Sequence, residues 1–332
     1  MGKKYGRWHR LESTGEGGQA HVYRVEDQMR EHPGYYALKR LRNPALLDRF
    51  KREVQVTGNL NHPHILRVVD FDLSGNEPYY VSEFCEKGSL EDVGAQVFKG
   101  DIRGAVDVLL PIVDALQAAA SASIVHRDVK PANILIRGDA TPVLADFGIC
   151  HVVDGHDVQT LSDRGMGSTN YIAPEMQAGQ HGIVTQAVDV YALGKVLYWM
   201  VSGGHIFARE DHRAESVYLV NRLKDERWEH VHGLLDTMLH VDVMQRASLA
   251  LLQIKLPEIE DLVAGAYVPL RPSIGLRCQW CGRGRYQVLQ QFERRGNIDW
   301  INSELRVLKC PHCGRLELFQ PSYSKDQHWF SL

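Results

Sequence analysis

The sequence predicts an α+β chain: a small sheet lobe, then a helical lobe, then a smaller module at the C-terminus. Three observations carry that expectation. Residues 5–90 read mostly as short strands separated by turns and residues 100–255 mostly as helices, the segregation expected of an α+β arrangement. Six cysteines are present, and four of them form two C-x-x-C pairs near the C-terminus, which is metal-site usage rather than a disulfide framework. Charge is uneven: from Arg271 onward ten Lys/Arg stand against five Asp/Glu, while the rest of the chain carries 28 against 36. The expected divisions are 8–255, a linker at 256–273 bearing Pro257, Pro269 and Pro272, and a module at 274–332.

Composition excludes several classes. The 332 residues carry a formal charge of −3, with 44% hydrophobic and 24% charged residues, ordinary for a globular protein and unlike a general polyanion binder. The basic residues at the N-terminus have no apolar run behind them, so no secretory signal is expected. Residue 6 is neither Ser nor Thr, which argues against myristoylation. The most apolar run, Val106–Val125, is broken by Pro111 and Asp114 and reads as a core helix rather than a membrane span. The expected location is cytoplasmic, with no membrane partner.

The stretch Ile124–Ile136 reads I-V-H-R-D-V-K-P-A-N-I-L-I. Asp128 is an acid that can accept a hydroxyl proton, Lys130 a cation that can steady a moving phosphoryl group, and Asn133 an amide that can hold a metal. This stretch resembles the catalytic loop of protein kinases, H-R-D-x-x-x-x-N, from His126 to Asn133. The resemblance implies a bilobal protein-kinase fold, with a β-rich N-lobe and an α-helical C-lobe, and ATP and Mg²⁺ as cofactors. Lys130, two residues after the acid, is the arrangement of Ser/Thr kinases.

The other parts follow in order. Leu11–Val22 is similar to the kinase Gly-rich loop, with Gly15 and Gly17 in place and Ala20 where the third glycine falls; glycines there let backbone N–H groups approach a polyphosphate. Tyr35–Lys39 alternates as a strand and resembles the strand that carries the ATP-binding lysine, here Lys39. A strand lysine is more often simply solvated, but a helix at Ala45–Leu60 follows and places Glu53 as its ion-pair partner, while Glu31 lies outside that helix. By the same resemblance Val22, Ala37 and Leu135 line the nucleotide. Thr57 stands where kinases place a large apolar side chain, which predicts a less rigid inward position of the helix. His62 and His64, beside Pro63, read as structural loop residues rather than ligands. Ser82-Glu83-Phe84-Cys85 resembles the hinge, with the backbones of Glu83 and Cys85 on the adenine edge, Ser82 as a small gatekeeper and the Cys85 thiol a buried bystander.

Asp146, in Asp146-Phe147-Gly148, resembles the D-F-G aspartate and with Asn133 would hold Mg²⁺. Ala173-Pro174-Glu175 resembles A-P-E. Between them lies an activation-segment candidate with Thr160, Ser162, Ser168 and Thr169. Arg127 precedes the catalytic acid, as in kinases whose segment is ordered by a phosphate, so phosphorylation at Thr160 or Ser162 is expected to activate. Asp189 resembles the aspartate that braces the catalytic loop, Arg246 the partner of Glu175, and Gly203-Gly204 a turn before the substrate-side helices.

Cys278-x-x-Cys281 and Cys310-x-x-Cys313 are each followed by glycine and separated by 28 residues. Four thiolates in two knuckles suit a closed tetrahedral Zn²⁺ site. The module is similar to a zinc ribbon, with strand candidates at Tyr286–Phe292 and Leu305–Leu308 and a longer hairpin than usual. Its arginines and tryptophans could serve nucleic acid, but a solvated basic face is the favoured reading. The whole therefore reads as a Ser/Thr protein kinase acting on protein hydroxyls, including its own. The alternative is a ribbon-based binding protein whose kinase domain is regulatory.

Overall fold

Aromatic and β-branched residues dominate the N-terminal segment, and they build one antiparallel sheet. Its strands are β1 (Lys4–Tyr5), β2 (Trp8–Glu16), β3 (Ala20–Asp27), β4 (Tyr35–Leu41), β5 (Val68–Asp72) and β6 (Tyr79–Glu83), in the order β1-β2-β3-β4-β6-β5. The computed structural model describes residues 3–16, 20–147, 151–152, 166–176, 184–264, 287–293, 304–309, 316–320 and 328–331. The chain divides into two compact units, Met1–Leu256 and Pro257–Leu332.

Register explains the two faces of the sheet. Leu38 lies opposite both Tyr23 and Val81, and these three join Tyr5, Trp8, Val25 and Tyr79 in one buried cluster. Burying an apolar side chain of this size stabilises by roughly 1.5–3 kcal/mol, so Leu38→Ala would cost about 2–5 kcal/mol. The Trp8 indole N–H donates to Asp70 at 2.6 Å, and Arg7 forks onto Asp27 at 2.9 and 2.7 Å. Glu31 pairs with Arg7 at 2.7 Å, which agrees with its exclusion as a partner for Lys39. Successive strand residues alternate faces, so Val22, Ala37, Lys39, Tyr80 and Ser82 share the opposite face.

Against that face lies α1 (Leu47–Asn59). Asn43 caps the 3₁₀ turn Pro44–Leu46 that leads into it, accepting the Ala45 N–H, with proline where a missing N–H is harmless. Phe50 and Val54, one helical turn apart, pack with Leu41 and Tyr80. The helix starts two residues later than the expected Ala45, because the 3₁₀ turn takes its first residues.

The helical lobe opens with α2 (Leu90–Val93), held by a reciprocal capping box between Ser89 and Asp92. The core helix α3 runs Ile102–Ser121, whereas the apolar run suggested Val106–Val125. Asp101 starts it by accepting the Gly104 N–H, and its last residues form the strand β7 (Ile124–Val125) instead. By length and composition α3 could cross a membrane, yet Val106, Leu109, Ile112, Val113 and Leu116 are buried. Strand β8 (Ile134–Ile136) pairs with β9 (Pro142–Leu144), and β7 with β10 (His151–Val152). Leu144 exchanges backbone bonds with His64 and Leu66, which ties this lobe to the sheet lobe.

Helix α4 (Ala187–Ser202) is buried on nearly every side. At Gly194 a Cβ would lie 3.1 Å from Met238 and Leu239, so glycine permits close approach of the C-terminal end of the helix at Glu229–Met238. Gly203 ends α4 at φ +77°, with its N–H on Met200 and that of Gly204 on Trp199, a left-handed cap that glycine adopts without penalty. Then come α5 (Leu219–Leu223), α6 (Glu229–Met238) and α7 (Leu249–Val263).

The last of these corrects the expected linker. Residues 256–263 are helical, and Pro257 sits inside α7. Leu249, Leu252, Leu256, Ile259 and Val263 are all buried, a 3-4-3-4 spacing whose burial outweighs the hydrogen bond that proline cannot make. In the second unit, β11 (Gln287–Glu293), β12 (Glu304–Lys309), β13 (Leu316–Gln320) and β14 (His328–Ser331) form one antiparallel sheet in sequence order. The strands expected at 286–292 and 305–308 are β11 and β12.

Candidate active site

Two groups of side chains meet at this site, one from each lobe. From the sheet lobe, Lys39 Nζ lies 2.6 Å from Glu53 Oε1 and 3.6 Å from Asp146 Oδ1. Burial works against the Lys39 ammonium, but the carboxylates of Asp146 and Glu53 outweigh it and hold its pKa well above the ordinary value. Burial lifts the Glu53 carboxyl above its usual range, with Lys39 and the Tyr80 hydroxyl opposing. Asp146 goes the other way: despite burial, Lys39, Arg49, His126 and Lys130 bring it down to about 2.

From the helical lobe comes the loop after β7. Lys130 Nζ lies 2.8 Å from Asp128 Oδ2, and Asn133 Nδ2 donates to the Asp128 carboxylate at 3.0 Å and to its carbonyl at 2.8 Å. With its amide nitrogen so directed, Asn133 can offer its Oδ1 to a cation. Asp189 braces the loop, accepting the His126 and Arg127 N–H groups at 3.0 and 2.8 Å. Arg127 sits at φ +70° and Asp146 at φ +64°. Such non-glycine conformations cost of order 1–3 kcal/mol each, and at Arg127 the two bonds to Asp189 offset the strain.

His126 couples the loop to Asp146. Its Nδ1 accepts the Asp128 N–H at 3.2 Å, which puts the ring proton on Nε2, 3.0 Å from the Ala145 carbonyl. The ring also stands edge-on to Phe147 at 4.6 Å. The Ala145 N–H donates to the Asn133 carbonyl at 2.9 Å, setting Asn133 beside the segment that carries Asp146. A carboxylate held ionised and an amide oxygen are the hard oxygen donors that suit Mg²⁺.

Gly15 lies opposite Val22, Val22 opposite Lys39, and Ala37 opposite Ser82, which is buried. Leu135 packs against Leu66, Cys85, Val143 and Ala145. The Glu83 N–H is taken by the Arg67 carbonyl, so its own carbonyl is the hinge group it can offer. Burial pushes the Cys85 thiol up to about 12, the inert bystander expected. Glu175 and Arg246 are forked together at 2.6 and 3.0 Å. His62 pairs with Asp114 at 3.2 Å and accepts the His64 N–H, a structural role. Thr57 is buried.

Gly17, Thr160, Ser162 and the four cysteines Cys278, Cys281, Cys310 and Cys313 lie outside the described residues. Two participants escaped sequence reasoning. Tyr80 donates its hydroxyl to Glu53 Oε1 at 2.7 Å. Arg49 lines the same cavity as Ala20, Lys39, Glu53 and Asp146. Each sits in a pattern of ordinary strand or helix residues; only the four-residue spacing of Arg49 from Glu53, about one helical turn, could have placed it on the inner side of α1.

Comparison with known proteins agrees with this geometry. The protein kinase domain family matches residues 8–256. The serine/threonine-protein kinase PknA of Mycobacterium tuberculosis is 40% identical over 171 residues, 50% of this chain and 39% of that protein. The serine/threonine-protein kinase PrkC of Bacillus subtilis is 33% identical over 209 residues, 61% of this chain and 32% of its own length. A probable serine/threonine-protein kinase of Corynebacterium efficiens is 33% identical over 251 residues, covering 72% and 37%. The chain thus spans about a third of the length of these curated relatives. With the matched region running from the Gly-rich loop to α7 and the catalytic side chains assembled within it, the chain belongs to the protein kinase family.

Proposed function

We propose that this chain is a Ser/Thr protein kinase that transfers the γ-phosphate of ATP to protein hydroxyls, its own included. The observation that carries the reading is the meeting of Asp128, Lys130 and Asn133 with Asp146 and the Lys39–Glu53 pair. Lys39, fixed by Glu53, binds the α- and β-phosphates. Asn133 and Asp146 would hold Mg²⁺, which when bound neutralises phosphate charge. Asp128 accepts the proton of the acceptor hydroxyl, and Lys130 neutralises charge on the γ-phosphoryl as it moves. Arg127, fixed by Asp189 beside Asp128, supports regulation by a phosphate on the activation segment, at Thr160 or Ser162. The test is incubation with Mg²⁺ and labelled ATP, wild type beside Asp128→Asn, with phosphosites mapped by mass. Removing a catalytic base costs about 10²–10⁴-fold. Absence of label in the chain itself and in added protein substrates refutes the proposal.

We also assign the C-terminal module as a zinc ribbon with ligands Cys278, Cys281, Cys310 and Cys313. Two features support it. Gln287 at the start of β11 pairs with Lys309 at the end of β12, so the chain ends leading to the two knuckles lie at the same end of one sheet. Lys309 also pairs with Leu316, so the strand ends on either side of the second C-x-x-C pair lie next to each other.

A further inference from the structure

Tyr80 lies on β6 directly opposite Lys39. Its hydroxyl donates to the same Glu53 oxygen, Oε1, that receives Lys39 Nζ, at 2.7 and 2.6 Å. Tyr80 and Glu53 are each only 4% exposed. The Tyr80 ring also packs on Phe50 at 5.3 Å and lies 5.6 Å from Lys39 Nζ. A single strand residue therefore grips α1 at two positions one turn apart. Thr57, one turn further along, is buried.

We propose that Tyr80 is a positioning residue, holding α1 inward through its hydrogen bond to Glu53 and so presenting Lys39 to the nucleotide. The two donors on one carboxylate oxygen fix the rotamer of Glu53, and the buried oxygen has no solvent to replace either donor. Burial first, and Glu53 next, drive the Tyr80 phenol well above its ordinary pKa, so the hydroxyl stays a donor at every working pH. The charges facing Glu53 are Lys39 from β4 and Asp146 across the cleft; Arg49, on its own helix, lines the same cavity. The Tyr80 hydroxyl lowers the Glu53 pKa against the rise caused by burial. Its removal shifts Glu53 further upward, and the acid limb of catalysis moves to higher pH.

The inference rests on the kinase reading, but part of its test does not need phosphoryl transfer. Tyr80→Phe keeps the ring on Phe50 and removes only the donor. Expected results are faster amide exchange in Leu47–Asn59, about tenfold weaker Mg²⁺·ATP binding, and an upward shift of the acid limb of kcat/KM, with melting temperature and kcat at saturating ATP changed far less. In a Glu53→Ala background, which has no acceptor for the hydroxyl, the same substitution has a several-fold smaller effect on exchange and nucleotide binding. Unchanged exchange and affinity, or an equal effect in both backgrounds, overturns the proposal. So does loss of the fold in Tyr80→Phe, which would make the hydroxyl a general structural contact. A wild-type chain that binds ATP but transfers no phosphate would defeat the kinase reading alone.

Discussion

Arg246→Met removes a guanidinium and leaves an apolar stem of comparable length. The Arg246 side chain is fully buried. It makes two bonds to Glu175, at 2.6 and 3.0 Å, and donates to the carbonyls of Ala187 and His240 at 2.8 and 3.0 Å. The substitution strands the Glu175 carboxylate in the interior. Breaking such a pair costs about 3–5 kcal/mol, and each kcal/mol shifts the melting temperature of a domain this size by about 2–4 °C. The expected drop is therefore roughly 6–20 °C, read by thermal melting at fixed scan rate. Glu175→Leu with Arg246→Met removes both charges, and the double variant should be more stable than Arg246→Met alone. A shift within about 2 °C of wild type, or a double variant that loses the sum of both singles, refutes the account.

Three further predictions follow from the remaining chemistry. The Cys85 thiol, pushed up to about 12, should resist alkylation in the native chain at pH 8, and its rate should climb about tenfold per pH unit with no plateau below pH 11; rapid native labelling at pH 7 contradicts this. His232 accepts the Leu219 N–H at 2.9 Å, so its proton sits on Nδ1 facing His212 Nδ1 at 2.8 Å, and His212 Nε2 meets Asp236 at 3.1 Å. Burial, then His212 and Arg213, lower the His232 pKa to about 4. Below pH 6.5 the unfolded chain binds a proton that the folded chain refuses, so stability should fall by about 2 kcal/mol between pH 7 and pH 5; an unchanged slope in His232→Gln removes this explanation. Finally, the purified chain should carry one zinc per molecule by elemental analysis, and Cys310→Ser should release it; zinc content that does not change on substitution denies the ribbon assignment.

The legible part of this protein is the part whose chemistry needs particular residue types close together in sequence. His126, Asp128, Lys130 and Asn133 lie in one loop, and their mutual bonds in the folded chain are short-range. Lys39 and Glu53 were readable through the family resemblance: the strand is similar to the one that carries the ATP-binding lysine, and the helix that follows it offers Glu53 as the partner. Tyr80 was not readable, because a tyrosine on a strand is ordinary until the fold sets it against a helix 27 residues away. Arg49 was missed because a cation on a helix is usually solvated. Pro257 misled in the opposite direction. Proline is a helix breaker by itself, and only the burial of Leu256, Ile259 and Val263 explains why the helix continues.

The sequence thus determined which groups this chain can bring together: an acid, a cation, an amide and a second carboxylate in kinase order. Tertiary structure decided how those groups are held and charged. It brings Asp146 down to about 2 and lifts Glu53 in the same cavity, because several cations outweigh burial at Asp146 while at Glu53 burial and the neighbouring Asp146 outweigh Lys39 and the Tyr80 hydroxyl. It also decided that Asp189, 63 residues from His126, carries the strain of the catalytic loop. Residue type sets what a side chain can do, but burial and neighbouring charge depend on segments far apart in the chain, and only packing brings those together.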